Sequence, residues 1–129
     1  MFDKFPKDDS AVRWTSHVKR KMLFYGLSGQ RIRSILRNYE RKEDGIAPQT
    51  VAVMSRNDKP KRKEEIWVMY GQNAKLKNQN EKAQPSKNFR IEPKKIIISA
   101  WRYPGISKKK DGVPVPDDVL EELNRFLGV

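Results

Sequence analysis

Apolar residues recur at helical intervals twice in the first third of the chain. The first set follows a hydroxyl residue suited to helix capping, Thr15 or Ser16, and stops at Gly26, which predicts a helix reaching about Tyr25. The second set follows Ser28, another residue suited to an N-cap, and predicts a second amphipathic helix. The apolar positions of the two sets are Val18, Met22, Tyr25, Ile32, Ile35, Leu36 and Tyr39.

Four segments carry patterns typical of β-strands. The strongest is the run KIIISAWR, whose unbroken apolar stretch predicts a central strand covered on both faces. Two shorter segments predict a hairpin across a basic turn at residues 56–63. In chain order the four predicted strands are residues 11–14, 50–54, 66–70 and 95–102.

The remaining segments complete an α+β layout. Residues 40–48 predict a charged loop, residues 71–88 a long polar loop, and residues 117–127 a last amphipathic helix with acidic residues in its first turn. We therefore predict an α+β fold with two N-terminal helices packed on a small antiparallel sheet of three to four strands, plus a C-terminal helix. This fold would form a single domain over residues 11–129, after a flexible tail at residues 1–10.

Positive charge dominates the composition. The 129 residues include 28 Lys and Arg against 16 Asp and Glu, which gives a formal net charge of +12. Such a field attracts polyanions, and nucleic acid is the first candidate because neutralised phosphates release counterions. An anionic membrane surface is the second candidate, and a basic protein whose charge has no specific partner is the third.

Several function classes are excluded by residues that the chain lacks. It has no cysteine and one histidine, His17, so no disulfide, thiolate nucleophile or zinc site with several Cys or His ligands can form. The glycine-rich phosphate loops and short hydrolase motifs are missing, so the sequence indicates no metal and no cofactor. No apolar run approaches membrane-spanning length, which predicts a cytoplasmic protein with no membrane partner.

His17 and Lys21 lie one turn apart on the first predicted helix. His17 is the side chain that titrates near pH 7. A lysine beside it suits phosphodiester cleavage, in which one group moves the 2′-hydroxyl proton and the other steadies the phosphate charge. The alternative interpretation is a helix-end histidine that packs or hydrogen-bonds locally, and the sequence leaves both open.

Arg102 and Tyr103 end the strongest predicted strand. An arginine at that position must face a cleft, a partner charge or water, because burial without a partner is too costly. One interpretation is a phosphate clamp, for which the guanidinium fork is well shaped, with the Tyr103 hydroxyl beside it. The other is a structural salt bridge to an acidic residue such as Glu121 or Glu122.

Basic residues elsewhere are candidates for contacts with a nucleic-acid backbone. The runs at residues 59–63 and 108–110 add to an already positive field, and such contacts hold phosphates without reading base sequence. The three tryptophans are expected in the core rather than on a stacking surface. The candidate nucleic-acid-binding residues are Arg13, Arg20, Lys59, Lys61, Arg62, Lys63, Lys108, Lys109 and Lys110.

Two stretches of the chain resemble the RelE/BrnT-like toxins, a family of small bacterial proteins. The first stretch follows the family's opening pattern of a His, an Arg-Met pair, a Gly-Ile-Ser turn and a second helix, with Lys21 where Arg is usual and Tyr25 in place of the Arg before the glycine. The second, residues 97–102, looks like the family's Ile-Ile-Ser-Ala-Arg strand with Trp101 inserted before the Arg. The residues that match the opening pattern are His17, Met22, Gly26 and Ser28.

The resemblance implies a metal-independent endoribonuclease toxin of a toxin–antitoxin module. Such a protein would act on mRNA, often at the ribosome, and would be silenced by a cognate antitoxin. In this hypothesis the catalytic residues are His17, Lys21, Arg102 and Tyr103, and attack by the 2′-hydroxyl leaves a cyclic phosphate. The alternatives are a non-catalytic nucleic-acid-binding module on the same fold and an interaction protein whose charge serves an acidic partner.

Overall fold

The structure is a computed structural model, and it describes residues 6–46, 49–72 and 95–127. Residues 73–88 of the predicted loop and residues 1–5 of the predicted tail lie outside the described residues. In chain order the elements are β1 (Val12–Trp14), α1 (Ser16–Tyr25), α2 (Gly29–Arg37), β2 (Arg41–Asp44), β3 (Thr50–Arg56), β4 (Glu64–Gln72), β5 (Lys95–Pro104), a 3₁₀ turn (Lys109–Asp111) and α3 (Asp117–Leu127).

The strands form one mixed sheet in the order β1-β5-β4-β3-β2. The β1–β5 pair is parallel and the other three pairs are antiparallel. The α+β class is confirmed, whereas the expected antiparallel sheet of three to four strands is replaced by this five-stranded one. A parallel neighbour is possible for β5 because the long segment between β1 and β5 allows the chain to return in the same direction.

The fifth strand is β2, which the sequence predicted to be part of a charged loop. Its four residues, Arg-Lys-Glu-Asp, have no apolar alternation and pair with β3 from Arg41 opposite Met54 to Asp44 opposite Val51. The Arg41 guanidinium lies 5.1 Å from the centroid of the Trp67 ring and packs against it. The position of β2 is therefore set by its pairing with β3 and by the contact of Arg41 with Trp67 of β4, and not by an apolar pattern of its own.

Buried residues lie on both faces of the sheet, as expected for a central β5. A shift in register between Met69 and Tyr70 of β4 leaves Ile98 without an opposite partner, so Ile98 and Trp101, three residues apart, pack in the same group. One group contains residues of α1, α2 and the sheet, and the other contains residues of the sheet and α3. The three tryptophans are buried as expected: Trp14, Trp67 and Trp101.

Both N-terminal helices begin at their expected caps. The Thr15 hydroxyl accepts from the amide of Val18 and donates to the carbonyl of Ile97 at 2.8 Å, so it starts α1 and fixes that start against β5. Ser28 caps α2 in the same way. The helix ends at Arg37, so the expected contribution of Tyr39 to its apolar face is wrong, and Tyr39 is exposed.

Candidate nucleic-acid interface and buried polar cluster

A stripe of polar side chains on α1 faces two carboxylates of α3. His17, Lys21 and Tyr25 are four residues apart on α1, and Asp118 and Glu122 are four residues apart on α3, so each set lies on one helix face. The Lys21 ammonium donates to Asp118 at 2.8 Å and lies 3.4 Å from Glu122. The Tyr25 hydroxyl donates to Asp118 at 2.9 Å. We call this group, together with Ser99 of β5, the interhelical cluster.

His17 lies at the centre of the interhelical cluster and has no exposed surface. Its Nε2 is 2.9 Å from the Ser99 hydroxyl, and its Nδ1 is 3.2 Å from Oε1 of Glu122. The catalytic interpretation of His17 and Lys21 requires that a substrate reach them, yet α3 covers both, and Lys21 is 6% exposed. The covering carboxylates come from the other end of the chain, so no local pattern in α1 could reveal them.

Burial and charge set the protonation states in this cluster. Burial lowers the pKa of His17, and the nearby Lys21 and Arg20 lower it further, against the opposing effect of the Glu122 carboxylate. The ring is therefore neutral at pH 7. Burial raises the pKa of Asp118, but hydrogen bonds from Lys21 and Tyr25 outweigh it, so the pKa of that carboxyl is lower than usual.

The order Ser99–His17–Glu122 has the connectivity of a nucleophile, a base and an orienting acid. Neither Ser99 nor His17 has exposed surface, so a substrate cannot reach the Ser99 hydroxyl in this conformation. The arrangement instead holds α3 against α1 and β5, with the hydrogen bonds of Lys21 and Tyr25 to Asp118 beside it.

Arg102 binds the C-terminal end of α1 rather than a ligand. Its Nε donates to the carbonyl of Tyr25 at 2.6 Å, and its Nη2 donates to the carbonyl of Gly26 at 3.1 Å. Its Nη1 donates to the Glu64 carboxylate at 3.3 Å, so the structural salt bridge exists, with Glu64 as the partner instead of Glu121 or Glu122. Three of the five donors of the fork are thus engaged with protein acceptors.

The structure does not bring the four predicted catalytic residues to one point. His17 and Lys21 meet at Glu122, whereas Arg102 contacts Tyr25 at the far end of α1, about 12 Å from His17 along the helix axis at ~1.5 Å per residue. Tyr103 is partly buried against the core group that contains α3. A phosphate held by all four side chains would require a different conformation.

The two basic runs, in contrast, meet at one end of the sheet. The amide of Gly105 donates to the carbonyl of Lys63 at 2.8 Å, and Glu64 is paired with Pro104, so the β3–β4 turn lies beside the segment that follows β5. All seven basic side chains of this surface, which we call the basic sheet end, belong to exposed residues. They are Lys59, Lys61, Arg62, Lys63, Lys108, Lys109 and Lys110.

A buried ionic network fixes the segment that carries the second basic run. Glu65, which has no exposed surface, accepts from the amide of Ser107 at 2.9 Å and from the Ser107 hydroxyl at 2.8 Å. Arg41 donates to that same hydroxyl at 2.8 Å and to the carbonyl of Gly112 at 3.1 Å. The segment is thereby held in place, so Lys108–Lys110 are presented from a fixed backbone. The contacts of this network join segments distant in sequence, so no local pattern predicts it, although the Glu64–Glu65 pair at the start of an apolar strand is a signal for it.

The two remaining predicted cations lie apart from the basic sheet end. Arg13 is exposed on β1, and Arg20 is exposed on α1, with its Nε 3.9 Å from Glu122. Among the described residues, no group of three or more His, Asp or Glu side chains is placed to hold a metal ion. Within the same residues no helix is long and apolar enough to span a bilayer.

Comparisons with protein-family models, with curated proteins and with solved structures give no significant match. The resemblance to the RelE/BrnT-like toxins therefore stays a prediction from sequence motifs.

Proposed function

We propose that the protein binds RNA through the basic sheet end. The observation that carries this proposal is the backbone hydrogen bond from Gly105 to Lys63, because it joins two basic segments far apart in sequence into one exposed surface. Contacts from such a surface go to phosphates and position the nucleic acid without reading its bases.

The local charge balance supports a polyanionic ligand. Asp58 is the acidic residue of the β3–β4 turn, and it accepts from Arg56 at 2.7 Å and from the amide of Glu64 at 3.0 Å. Its carboxylate is held beside Arg56 and also interacts with Lys63, so it offsets only part of the positive charge of the turn. Asp111 is exposed beside the second run. Seven cations against the two carboxylates of Asp58 and Asp111 leave this surface with a strong net positive charge.

The choice of RNA over DNA comes from the resemblance to toxins that act on mRNA. An acidic antitoxin, implied by the same resemblance, is a further partner that we predict, and it would compete for the same cations. A DNA duplex of matched length is the comparison ligand in the experiment below.

The proposal is tested by measuring affinity for a single-stranded RNA between about 50 and 200 mM salt. A ligand in contact with all seven cations would give a slope of log K against log salt of about −5, at roughly −0.7 per neutralised phosphate. Replacing Lys61, Arg62 and Lys63 together by Gln should reduce the slope by about 2 while leaving the melting temperature unchanged. Lys42→Gln, exposed on β2, is the matched control.

Two results would overturn the proposal. One is no RNA binding at low salt, and the other is a triple variant whose affinity and salt slope equal those of the unaltered protein. Tighter binding to the DNA duplex would move the proposal from RNA to DNA.

Endoribonuclease activity is a second candidate, favoured by one observation. The interhelical cluster brings His17 to Ser99 and to Glu122, which Lys21 also contacts, and imidazole and ammonium groups are able to transfer a proton and stabilise a phosphate. Incubation of the protein with RNA in EDTA decides between the candidates. Intact RNA supports binding alone, whereas cleavage that is lost in a folded His17→Gln variant supports the enzyme.

A further inference from the structure

A cavity of about 200 Å³ lies between α2 and the edge of the sheet formed by β1 and β5. It is remote from the basic sheet end, because Lys95 opens β5 and the basic segment follows its last residue, Pro104, about 30 Å away at ~3.3 Å per residue. Three cations and three apolar residues line it. They are Arg33, Arg37, Lys95, Ala11, Val12 and Leu36.

Two of the three cations have no carboxylate partner within the described part of the chain. No described Asp or Glu lies within ion-pair distance of Arg37 or Lys95. Arg33 pairs with Asp9 at 3.1 Å and stacks on the Trp14 ring, with 5.4 Å from guanidinium carbon to ring centroid. The cavity therefore carries two positive charges that the described residues leave unneutralised.

Contacts fix the positions of Arg33 and Lys95, and helix geometry sets the direction of Arg37. The Lys95 ammonium lies 5.6 Å from the centroid of the Tyr70 ring, which holds its stem along the sheet edge. Arg33 and Arg37 lie four residues apart on α2, so both project from the same helix face. The Arg33–Asp9 pair ties the segment before β1 to that face.

We propose that this cavity binds a phosphomonoester, either the terminal phosphate of an RNA strand or the phosphate of a free nucleotide. A phosphomonoester carries close to two negative charges at pH 7, which matches Arg37 and Lys95. The guanidinium fork of Arg37 suits two phosphate oxygens, and Lys95 supplies a point charge. The apolar wall of Ala11, Val12 and Leu36 fits the carbon face of a ribose.

The cavity volume limits the ligand. Sites for drug-sized molecules are about 300–1,000 Å³, so a cavity of about 200 Å³ accepts a phosphate with part of a nucleoside rather than a dinucleotide cofactor. An internal phosphodiester carries one negative charge and continues on both sides, so it satisfies the two cations less well than a chain end does. The RNA form of this inference rests on the proposed function, whereas the free-nucleotide form stands without it.

The experiment compares one RNA oligonucleotide with a 5′-phosphate, a 3′-phosphate or hydroxyls at both ends, and titrates AMP and inorganic phosphate separately. We expect one phosphorylated end to bind roughly tenfold more tightly than the hydroxyl form, as two added charge-assisted contacts allow. The double variant Arg37→Gln/Lys95→Gln should lose this preference and keep the affinity for the hydroxyl RNA. The matched control, Lys61→Gln/Arg62→Gln/Lys63→Gln, should lose overall affinity and keep the preference.

Each outcome bears on one of the two proposals. Equal affinity for all three RNAs, together with no binding of AMP or phosphate, would overturn the cavity proposal and leave RNA binding intact. AMP binding that the double variant abolishes, without any effect of the RNA ends, would identify a free nucleotide as the ligand. AMP binding by a protein that binds no RNA would support the cavity and reject the basic sheet end.

Discussion

His17 is the single histidine of the chain, and its ring is enclosed by α1, α3 and β5. The chain also has no cysteine, so no second side chain has an ordinary pKa between 5 and 8. A change of stability between pH 7 and 6 therefore reports on this ring, whereas carboxyl groups, whose ordinary pKa is about 4, begin to contribute near pH 5. The groups facing His17 are Glu122, Lys21, Arg20 and Asp118.

The free energy of unfolding should fall as the pH falls from 7 to 5. Burial lowers the pKa of folded His17, whereas the ring titrates near 6.5 in the unfolded chain, so the unfolded state binds more protons in this range. The loss is at most about 1.4 kcal/mol per pH unit for one proton. Urea denaturation at pH 7, 6 and 5 measures it. His17→Gln should flatten the profile, and an equal slope in both proteins would contradict the argument.

Arg102 connects three elements, since it joins the end of α1 to the start of β4 from its place on β5. The Gly26 residue that ends α1 has φ +67°, in the left-handed region, and its carbonyl is one of the acceptors of Arg102. The guanidinium therefore satisfies helix-terminal carbonyls and the buried Glu64 carboxylate together.

Arg102→Ala should lower the free energy of unfolding by about 2–3 kcal/mol, because it removes charged hydrogen bonds and leaves the buried Glu64 with the Asn57 amide but without a counter-ion. Adding Glu64→Gln should recover part of that loss, a non-additive result typical of contacting residues. Arg13→Ala, exposed on β1, is the control and should change stability by less than about 0.5 kcal/mol. An unchanged melting temperature combined with lost RNA cleavage would return Arg102 to the catalytic role that the sequence suggested.

Elements with a local apolar period could be predicted from the sequence, and those that depend on a partner could not. The helices α1, α2 and α3 and the strands β3, β4 and β5 each carry their own pattern. The strand β2 does not, since Arg41 is buried by residues distant in sequence, among them Trp67, Ser107 and Gly112. The predicted site residues show the same difference. The exposure of the lysine runs could be predicted from their own composition, whereas the burial of His17 could not, because it depends on Glu122 of the distant helix α3.

Among the described residues, the carboxylates of α3 and the cations of the basic sheet end form two groups of like charge. Four carboxylates, at positions 117, 118, 121 and 122, lie in the first two turns of α3, while the basic sheet end collects seven cations. Two of those carboxylates face the interhelical cluster, and the rest add negative potential around α3. A polyanion should therefore approach the basic sheet end and avoid the α3 side.

Lysine-reactive labelling with and without RNA tests this orientation. RNA should protect Lys59, Lys61, Lys63 and the Lys108–Lys110 run several-fold, because phosphates cover their ammonium groups. Lys42 on β2 should be labelled equally in both samples. Uniform protection of every lysine would instead indicate a diffuse attraction spread over the whole surface.

The two edges of the sheet determine whether another chain can pair with it and start aggregation. The edge of β5 opposite β4 is covered by two elements. The three residues of β1 pair with its first residues, and α1 lies along the rest as far as Arg102. At the opposite border, β2 is four residues long and entirely charged, with Arg41 turned into the protein. Short, charged or covered borders offer no template on which another chain could add a strand. A solution concentrated enough to coat an RNA should therefore stay free of cross-β aggregates.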